Sequence, residues 1–253
     1  MKRISAVIVV KNEEVNIERC LRSVSWMDEI VIVDNASTDS TVEKCKCYTK
    51  NVYFHDSPFT GIKVNFGIQR ASSEWVFNID ADEEMSCQLK DEVIAVITNN
   101  SVRFNGYRIP VRNLFMGKWL KYGGWYPCYI KRLYRREKAR YNAVDHHVQA
   151  DVEGEVGCLN NHILHYAPND VSTYLRKMNL YTTNSIREHG LQKKKNWFNI
   201  LLKPPLIFIK RYIILEGFLD GLPGFVIALL SAFYILIDNL KVVEIHYYAK
   251  EHR

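Results

Sequence analysis

The sequence predicts an α/β fold, a mostly parallel sheet flanked by helices, with an apolar helical segment appended at the C-terminus. Three observations predict it. Short β-branched runs alternate with stretches of helical period through residues 1–100. Polar clusters fall at three successive strand ends, residues 11–14, 34–39 and 80–84, and in such a sheet these ends share one edge. From Trp197 onward the chain turns apolar, with cations spaced through it.

Residues 4–10 are nearly all β-branched or small and apolar, as befits a first strand buried on both faces. Lys11, Asn12, Glu13 and Glu14 follow it, and then Val15, Ile17, Cys20, Leu21 and Val24 recur with the period of an amphipathic helix. Residues 30–33 form the second strand. It runs into Asp34-Asn35-Ala36-Ser37-Thr38-Asp39, a turn rich in capping residues that leads to a helix near Thr41. A third strand is expected at 52–55, a helix at 63–70 and a fourth strand at 75–79, where Asn78 is the one polar interruption. Strands alternating with helices imply right-handed parallel crossovers.

Four carboxylates close the fourth strand: Asp80, Asp82, Glu83 and Glu84. Such a cluster cannot sit unpaired in a sheet core. In extended chain Asp80 and Asp82 point to one side, and two hard oxygen donors there suit Mg2+ or Mn2+ shared with substrate phosphates. The alternative is an acidic helix start, since carboxylates favour a first turn.

Composition bounds the rest. The chain has 253 residues, 47% hydrophobic and 25% charged, with a net charge of +6. This is an ordinary globular balance whose mild positive excess favours anionic partners. No nucleic-acid-binding motif accompanies the charge, so nucleic acid is not expected as a partner. Six cysteines stand without a C-x-x-C pair, pointing to reduced thiols in a cytosolic compartment rather than a zinc ribbon. The N-terminus enters a strand at once, with no signal-peptide pattern. Neither a G-x-G-x-x-G after the first strand nor a P-loop is present, which argues against a dinucleotide-dependent dehydrogenase and a P-loop ATPase.

Val-Val-Lys-Asn-Glu-Glu (9–14), Val-Asp-Asn-Ala-Ser-Thr-Asp (33–39) and Asn-Ile-Asp-Ala-Asp-Glu (78–83) resemble the three signatures of family 2 inverting glycosyltransferases, which have the GT-A fold. Arg-Asn-Leu-Phe-Met-Gly-Lys (112–118), Gly-Gly-Trp-Tyr-Pro (123–127) and Lys-Arg-Leu-Tyr (131–134) narrow the match to the lipopolysaccharide core β-1,4-glucosyltransferase subgroup. Leu-His-Tyr (164–166), residues 174–179 and Gly-Phe-Leu-Asp-Gly (217–221) extend it over nearly the whole chain.

The resemblance implies a nucleotide-sugar donor, a UDP-sugar first, with glucose the first guess for the hexose. It also implies a glycolipid or other surface-glycan acceptor. Glu13 and Asp34 would hold base and ribose, since a carboxylate accepts paired hydrogen bonds. Val10, Lys63, Asn65, Asp80 and Ala81 would line the same pocket, although Lys63 is displaced from the family's Gln-Lys-Asn order. Helix capping is the alternative for Glu13, turn capping for Asp34 and Asp39, and a solvated helix face for Lys63 and Arg70. Asp82 would touch the metal directly, with His165 a candidate further ligand; packing in the core is the alternative for the histidine. A single in-line displacement needs one general base. Where many relatives carry Val-His-Glu, this chain reads Ala-Val-Asp-His-His at 143–147. Asp145 is the first candidate and His146 the second, with Asp28, Glu83 and Glu84 behind them.

A basic, aromatic stretch that includes Arg112, Trp125 and Tyr126 would host the acceptor, with Gly123 and Gly124 as a flexing point; ordinary packing of large side chains is the alternative. The expected division is a catalytic domain over 1–192, with a nucleotide half at 1–100 and an acceptor half at 101–192. A helical segment over 193–253 follows. There Pro204 and Pro205 break one apolar run, and a second spans 222–240, closed by Asp238. Its uncharged core, 225–237, is too short to cross a bilayer upright. Apolar helices flanked by Lys and Arg suit an anionic bilayer surface, so a peripheral place on the inner face of the cytoplasmic membrane is expected; a helical hairpin that covers the catalytic domain or forms a homo-oligomer contact is the alternative. A sugar-1-phosphate nucleotidyltransferase is a remote rival, because residues 11–14 lack the glycines that cradle a triphosphate. A nucleotide-sugar-binding scaffold without turnover is the non-enzymatic one.

Overall fold

The first strand, β1 (Ile4–Val10), is central to a sheet whose two faces are set by alternation along the chain. This is a computed structural model, and it describes residues 4–99, 103–142, 149–166, 171–189 and 197–251. In chain order β1 is followed by α1 (Ile17–Val24), β2 (Glu29–Asp34), α2 (Thr41–Lys46), β3 (Val52–Phe54), α3 (Thr60–Arg70), β4 (Trp75–Asn78), β5 (Glu83–Met85) and α4 (Cys87–Thr98). Next come β6 (Gly106–Phe115), β7 (Lys118–Trp119), β8 (Cys128–Arg135), β9 (Ala139–Tyr141), β10 (Ala150–Val152), β11 (Val156–Cys158) and β12 (Ile163–His165). The helices α5 (Val171–His189), α6 (Trp197–Leu201), α7 (Lys203–Ile209) and α8 (Leu222–Glu251) complete the chain.

The sheet order is β3-β2-β1-β4-β8-β6-β12-β5. β1 pairs in parallel with β2 and β4, and β2 with β3, as the alternating pattern predicts. β8 then adds to β4 antiparallel, and β6 to β8. Ala6, Ile8, Ile32, Trp75 and Phe77 face a core closed by α1 and α4. Val7, Val31 and Val76 face the other way, against α3 and the small β9–β10 sheet. The approach of α3 is close enough that a Cβ on Gly67 would lie 2.5 Å from Val7 Cγ1.

The chain divides into two compact units, Met1–Arg112 with Cys128–Tyr166, and Asn113–Pro127 with Ala167–Arg253. The division therefore runs elsewhere than at residue 192. Residues 113–127 belong with the helices because buried Asp220 binds them: its carboxylate accepts from the Lys121 and Tyr122 amides (3.3 and 2.9 Å), and its carbonyl from Lys118 Nζ (2.8 Å). Gly123 is pinned on both sides, its N–H to the Leu215 carbonyl and its carbonyl to Arg211. The expected flexing point is thus a fixed one.

The break is present at Leu202, between α6 and α7, and Pro204 and Pro205 sit in the first turn of α7. The last helix is longer than expected: α8 passes Asp238 and runs 30 residues. No Gly or Pro follows Gly224 to stop it, and its Lys241 is satisfied sideways. Lys241 Nζ donates to the Asn179 carbonyl and side chain and to the Thr182 and Thr183 hydroxyls of α5, at 2.7–3.0 Å. By length and composition alone, Leu222–Tyr248 would suffice to cross a membrane, contrary to the estimate from its uncharged core.

Candidate active site

The loops after β1 and β2 are laced into one surface at the C-terminal edge of the parallel strands. Asn12, in the left-handed region at φ 54°, donates its N–H to Ser37 Oγ (3.1 Å) and accepts from the Thr38 amide (2.8 Å). The Glu13 amide donates to Thr41 Oγ1 (2.8 Å). The Asn35 amide returns to the carbonyl of Val10 (2.9 Å), so Val10 ends at this surface. Asp34 is 7% exposed and accepts the Ser37 amide on both oxygens (3.1 and 3.3 Å). Glu13 Oε2 accepts from the side-chain amide of Asn16 at the start of α1 (2.9 Å), and no side chain caps that helix. Asp39 caps α2, accepting from the Thr41 amide and hydroxyl. Burial acts to raise its pKa, but these bonds hold it below the ordinary value.

The third acidic loop differs from the expectation of two carboxylates on one side. The chain leaves β4 at Asn78 and turns, the Glu83 amide donating to the Asp80 carbonyl (3.0 Å). The two-residue period holds only in extended chain, so Asp80 and Asp82 go to different partners. Asp80 pairs with Arg132 of β8. Asp82 lies 3.5 Å from His165 Nε2, and Ala81 between them is buried. Antiparallel β12–β5 pairing sets His165 opposite Glu83, and the Tyr166 amide continues the ladder to the Asp82 carbonyl (2.9 Å). His165 is therefore held beside the acidic turn by backbone register rather than packed away from it.

Beneath the turn lies a buried network that the sequence reading did not assemble. Arg132, 9% exposed, donates to Asn78 Oδ1 (3.0 Å), to both Asp80 oxygens and to Glu83 Oε1 (2.8 Å). Glu83, 2% exposed, also accepts the Asp80 amide (2.9 Å). Tyr141 donates its hydroxyl to Asn78 (3.1 Å). Burial pushes the Glu83 carboxyl up to about 7, against the pull of Arg132. Burial alone would lower the pKa of His165, but the Asp82 hydrogen bond and the carboxylates of Asp82, Glu83 and Asp80 outweigh it and raise it. The one available signal was Asn78 itself, a polar residue in a buried strand that must find partners.

Other candidates move. Asn65 clamps β9, donating to the Tyr141 carbonyl (2.7 Å) and accepting its amide (2.9 Å). Lys63 is buried rather than on a solvated face. Arg70 stacks over Phe66 and Tyr53. Asp28 accepts the Ile4 amide (2.9 Å) at the start of β1, the far end of the strand from this surface. Glu84 accepts the Tyr166 hydroxyl (2.6 Å). Glu83 is buried on Arg132. Asp145 and His146 lie outside the described residues. In the second unit Trp125 sits under Arg211, 5.1 Å from ring centre to guanidinium carbon, and Tyr126 packs edge-on to Trp119. Arg112 ends the first stretch of the other unit.

The donor set at Asp82 and His165 fits Mg2+ or Mn2+. A carboxylate oxygen and an imidazole nitrogen stand together, and a cation would replace the proton they share. Among the described residues no three His, Cys, Asp or Glu side chains gather as a cage. Mg2+ commonly binds through one or two carboxylates completed by substrate phosphates and water, the part that Asp82 would play.

Comparison with known proteins gives the family. Residues 5–151 match the family model described as glycosyl transferase family 2. An uncharacterized glycosyltransferase of Rickettsia typhi is 31% identical over 97% of this chain and 88% of its own. The lipopolysaccharide core biosynthesis glycosyltransferase LpsC of Rhizobium meliloti is 29% identical over 96% of this chain and 93% of its own. Among solved structures, S. aureus TarS 1-349 in complex with UDP is 13% identical, covers 94% of this chain and 91% of that one, and has a TM-score of 0.49, too loose a likeness to carry an argument. The family match takes in all three acidic loops and the strands that hold them, and the chain belongs to glycosyltransferase family 2, an enzyme of GT-A fold.

Proposed function

We propose that the chain is a divalent-metal-dependent, inverting hexosyltransferase. It would move glucose, in the first instance, from a UDP-sugar to a glycolipid of the lipopolysaccharide type or another surface glycan, at the inner face of the cytoplasmic membrane. The observation that carries this reading is the meeting of Asp82 and His165, 3.5 Å apart, at the edge where the loops after β1, β2 and β4 end. The likeness to LpsC over nearly the whole chain supports the acceptor class.

In this reading Asp34, tied to the Ser37 amide, presents its remaining lone pairs to the ribose, and Glu13 meets the base. Arg132 fixes Asp80 and thereby the turn that carries Asp82. Asp82 and His165 would hold Mg2+ or Mn2+, which when bound offsets the charge growing on the departing diphosphate. Asp145, or failing it His146, takes the acceptor hydroxyl proton as the anomeric carbon is attacked from the opposite face.

The test is transfer from radiolabelled UDP-glucose to a glycolipid extract, with Mn2+ and with chelator. Wild type should transfer only with metal. Asp82→Ala should abolish transfer while keeping the wild-type circular dichroism spectrum. Full activity of Asp82→Ala, or of wild type in chelator, would remove the metal-dependent reading.

A further inference from the structure

We infer that the second unit carries a bilayer-docking face, built from α6, α7, the turns after α7 and the outward stripe of α8, which lies in the headgroup region of an anionic membrane without crossing it. The inference extends the proposed function by naming the surface on which a lipid-linked acceptor is met, and it rests on that function only for the acceptor.

The face is apolar where a soluble surface would be polar. Leu206, Ile209 and Ile213 follow one another at helical spacing and are exposed, and Ile214 is 68% exposed. On α8 the exposed residues Leu222, Phe225, Leu229 and Phe233 recur every three or four positions, a single stripe along one side of the helix. Trp197, at the start of α6, is 73% exposed, and Trp favours the boundary between water and lipid. Phe225 of this stripe packs on Phe208 and Tyr212, so the exposed apolar segments adjoin there, and an exposed apolar surface of this kind marks a partner.

Charge selects the partner. Lys203 and Lys210 flank α7 and are exposed. No acidic residue lies between Trp197 and Leu215. Cations interleaved with exposed aliphatic side chains match anionic headgroups above acyl chains. A second protein copy with the same face would instead bring lysine against lysine.

The opposite side of α8 explains why the helix lies flat. Ile227 and Leu230 pack with Phe115 and Leu120, and Lys241 is bonded to α5. The uncharged part of α8, residues 222–237, is 16 residues long, about 24 Å of helix against a hydrocarbon core of roughly 30 Å. One side of the helix is therefore committed to protein, and although Leu222–Tyr248 has the length and composition to cross a membrane, crossing would carry Asp238 and Lys241 into the hydrocarbon.

The experiment is sedimentation of the full chain with vesicles of phosphatidylcholine alone and with added phosphatidylglycerol. UDP-glucose affinity and urea midpoint are measured on the same preparations. The chain should pellet with the anionic vesicles and be released in large part by high salt. Ile214→Glu combined with Leu229→Glu, both at exposed positions, should lower the bound fraction at least about tenfold with midpoint and donor affinity unchanged. Lys203→Glu with Lys210→Glu should erase the preference for anionic vesicles. A wild-type chain that stays in the supernatant with both vesicles overturns the inference. So does self-association in lipid-free buffer that the Ile214 and Leu229 substitutions abolish while vesicle binding is absent. Resistance to alkaline extraction, with the C-terminus shielded from protease added on the N-terminal side, overturns the flat arrangement in favour of a span. Vesicle binding without donor binding would uphold this face and sink the proposed function, and donor binding without vesicle binding would do the reverse.

Discussion

Arg132 is the residue on which the acidic turn depends. Its guanidinium satisfies Glu83 and Asp80 together with the Asn78 amide oxygen, in a setting where an unpaired carboxylate is expensive. Arg132→Met should destabilise the fold by about 3–5 kcal/mol, read as a lowered urea midpoint. Adding Glu83→Gln should recover part of that loss, because the buried charge goes with its partner, but should not restore transfer, because Asp80 is still released. Recovery of both would mean that Arg132 serves stability alone. For the proposed base, Asp145→Asn should cut the transfer rate by about 10²–10⁴-fold with UDP-glucose affinity unchanged in calorimetry; an unaltered rate would pass the role to His146.

At the level of elements, the strands and helices through β4 were legible because local pattern and final environment agree. Residues 4–10 read as a strand buried on both faces, and β1 is flanked by β2 and β4 with helices on either side. The antiparallel half was not legible in the same way. β8 reaches β4 across more than fifty residues, and nothing local announces such a pairing. The acidic turn was misread for a related reason: extended geometry was carried four residues past the end of β4, to Asp82. Asn65 shows the same limit. Its family position pointed to the nucleotide, yet its amide closes two bonds to the backbone of Tyr141, which no motif records. Asn65→Ala should strand a buried N–H and carbonyl, costing about 1–3 kcal/mol, and should speed hydrogen exchange at the Tyr141 amide. If donor affinity falls while stability and exchange hold, Asn65 belongs to the pocket instead. Gly67→Ala should also destabilise, by about 1–3 kcal/mol, because its Cβ meets Val7 and Val33 where α3 seats on the sheet; an unchanged urea midpoint would show that α3 has room to shift.

For the molecule as a whole, the chain assembles one polar sheet edge from loops far apart in sequence and keeps its apolar helices in a separate compact unit. The three motifs made the edge legible, and composition made the helical unit legible. The position of the division was not, because Asp220 recruits residues 113–127 through hydrogen bonds that composition does not register. The central claim is that Asp82 and His165 mark where a divalent cation and a diphosphate sit together. Its most direct test is a crystal of the chain grown with UDP and Mn2+, with anomalous diffraction recorded to locate the manganese. The account predicts a peak within direct coordination distance of both Asp82 and His165 Nε2, with the diphosphate completing the shell. Manganese and UDP bound elsewhere, or UDP bound at this edge with no peak beside Asp82, would contradict it.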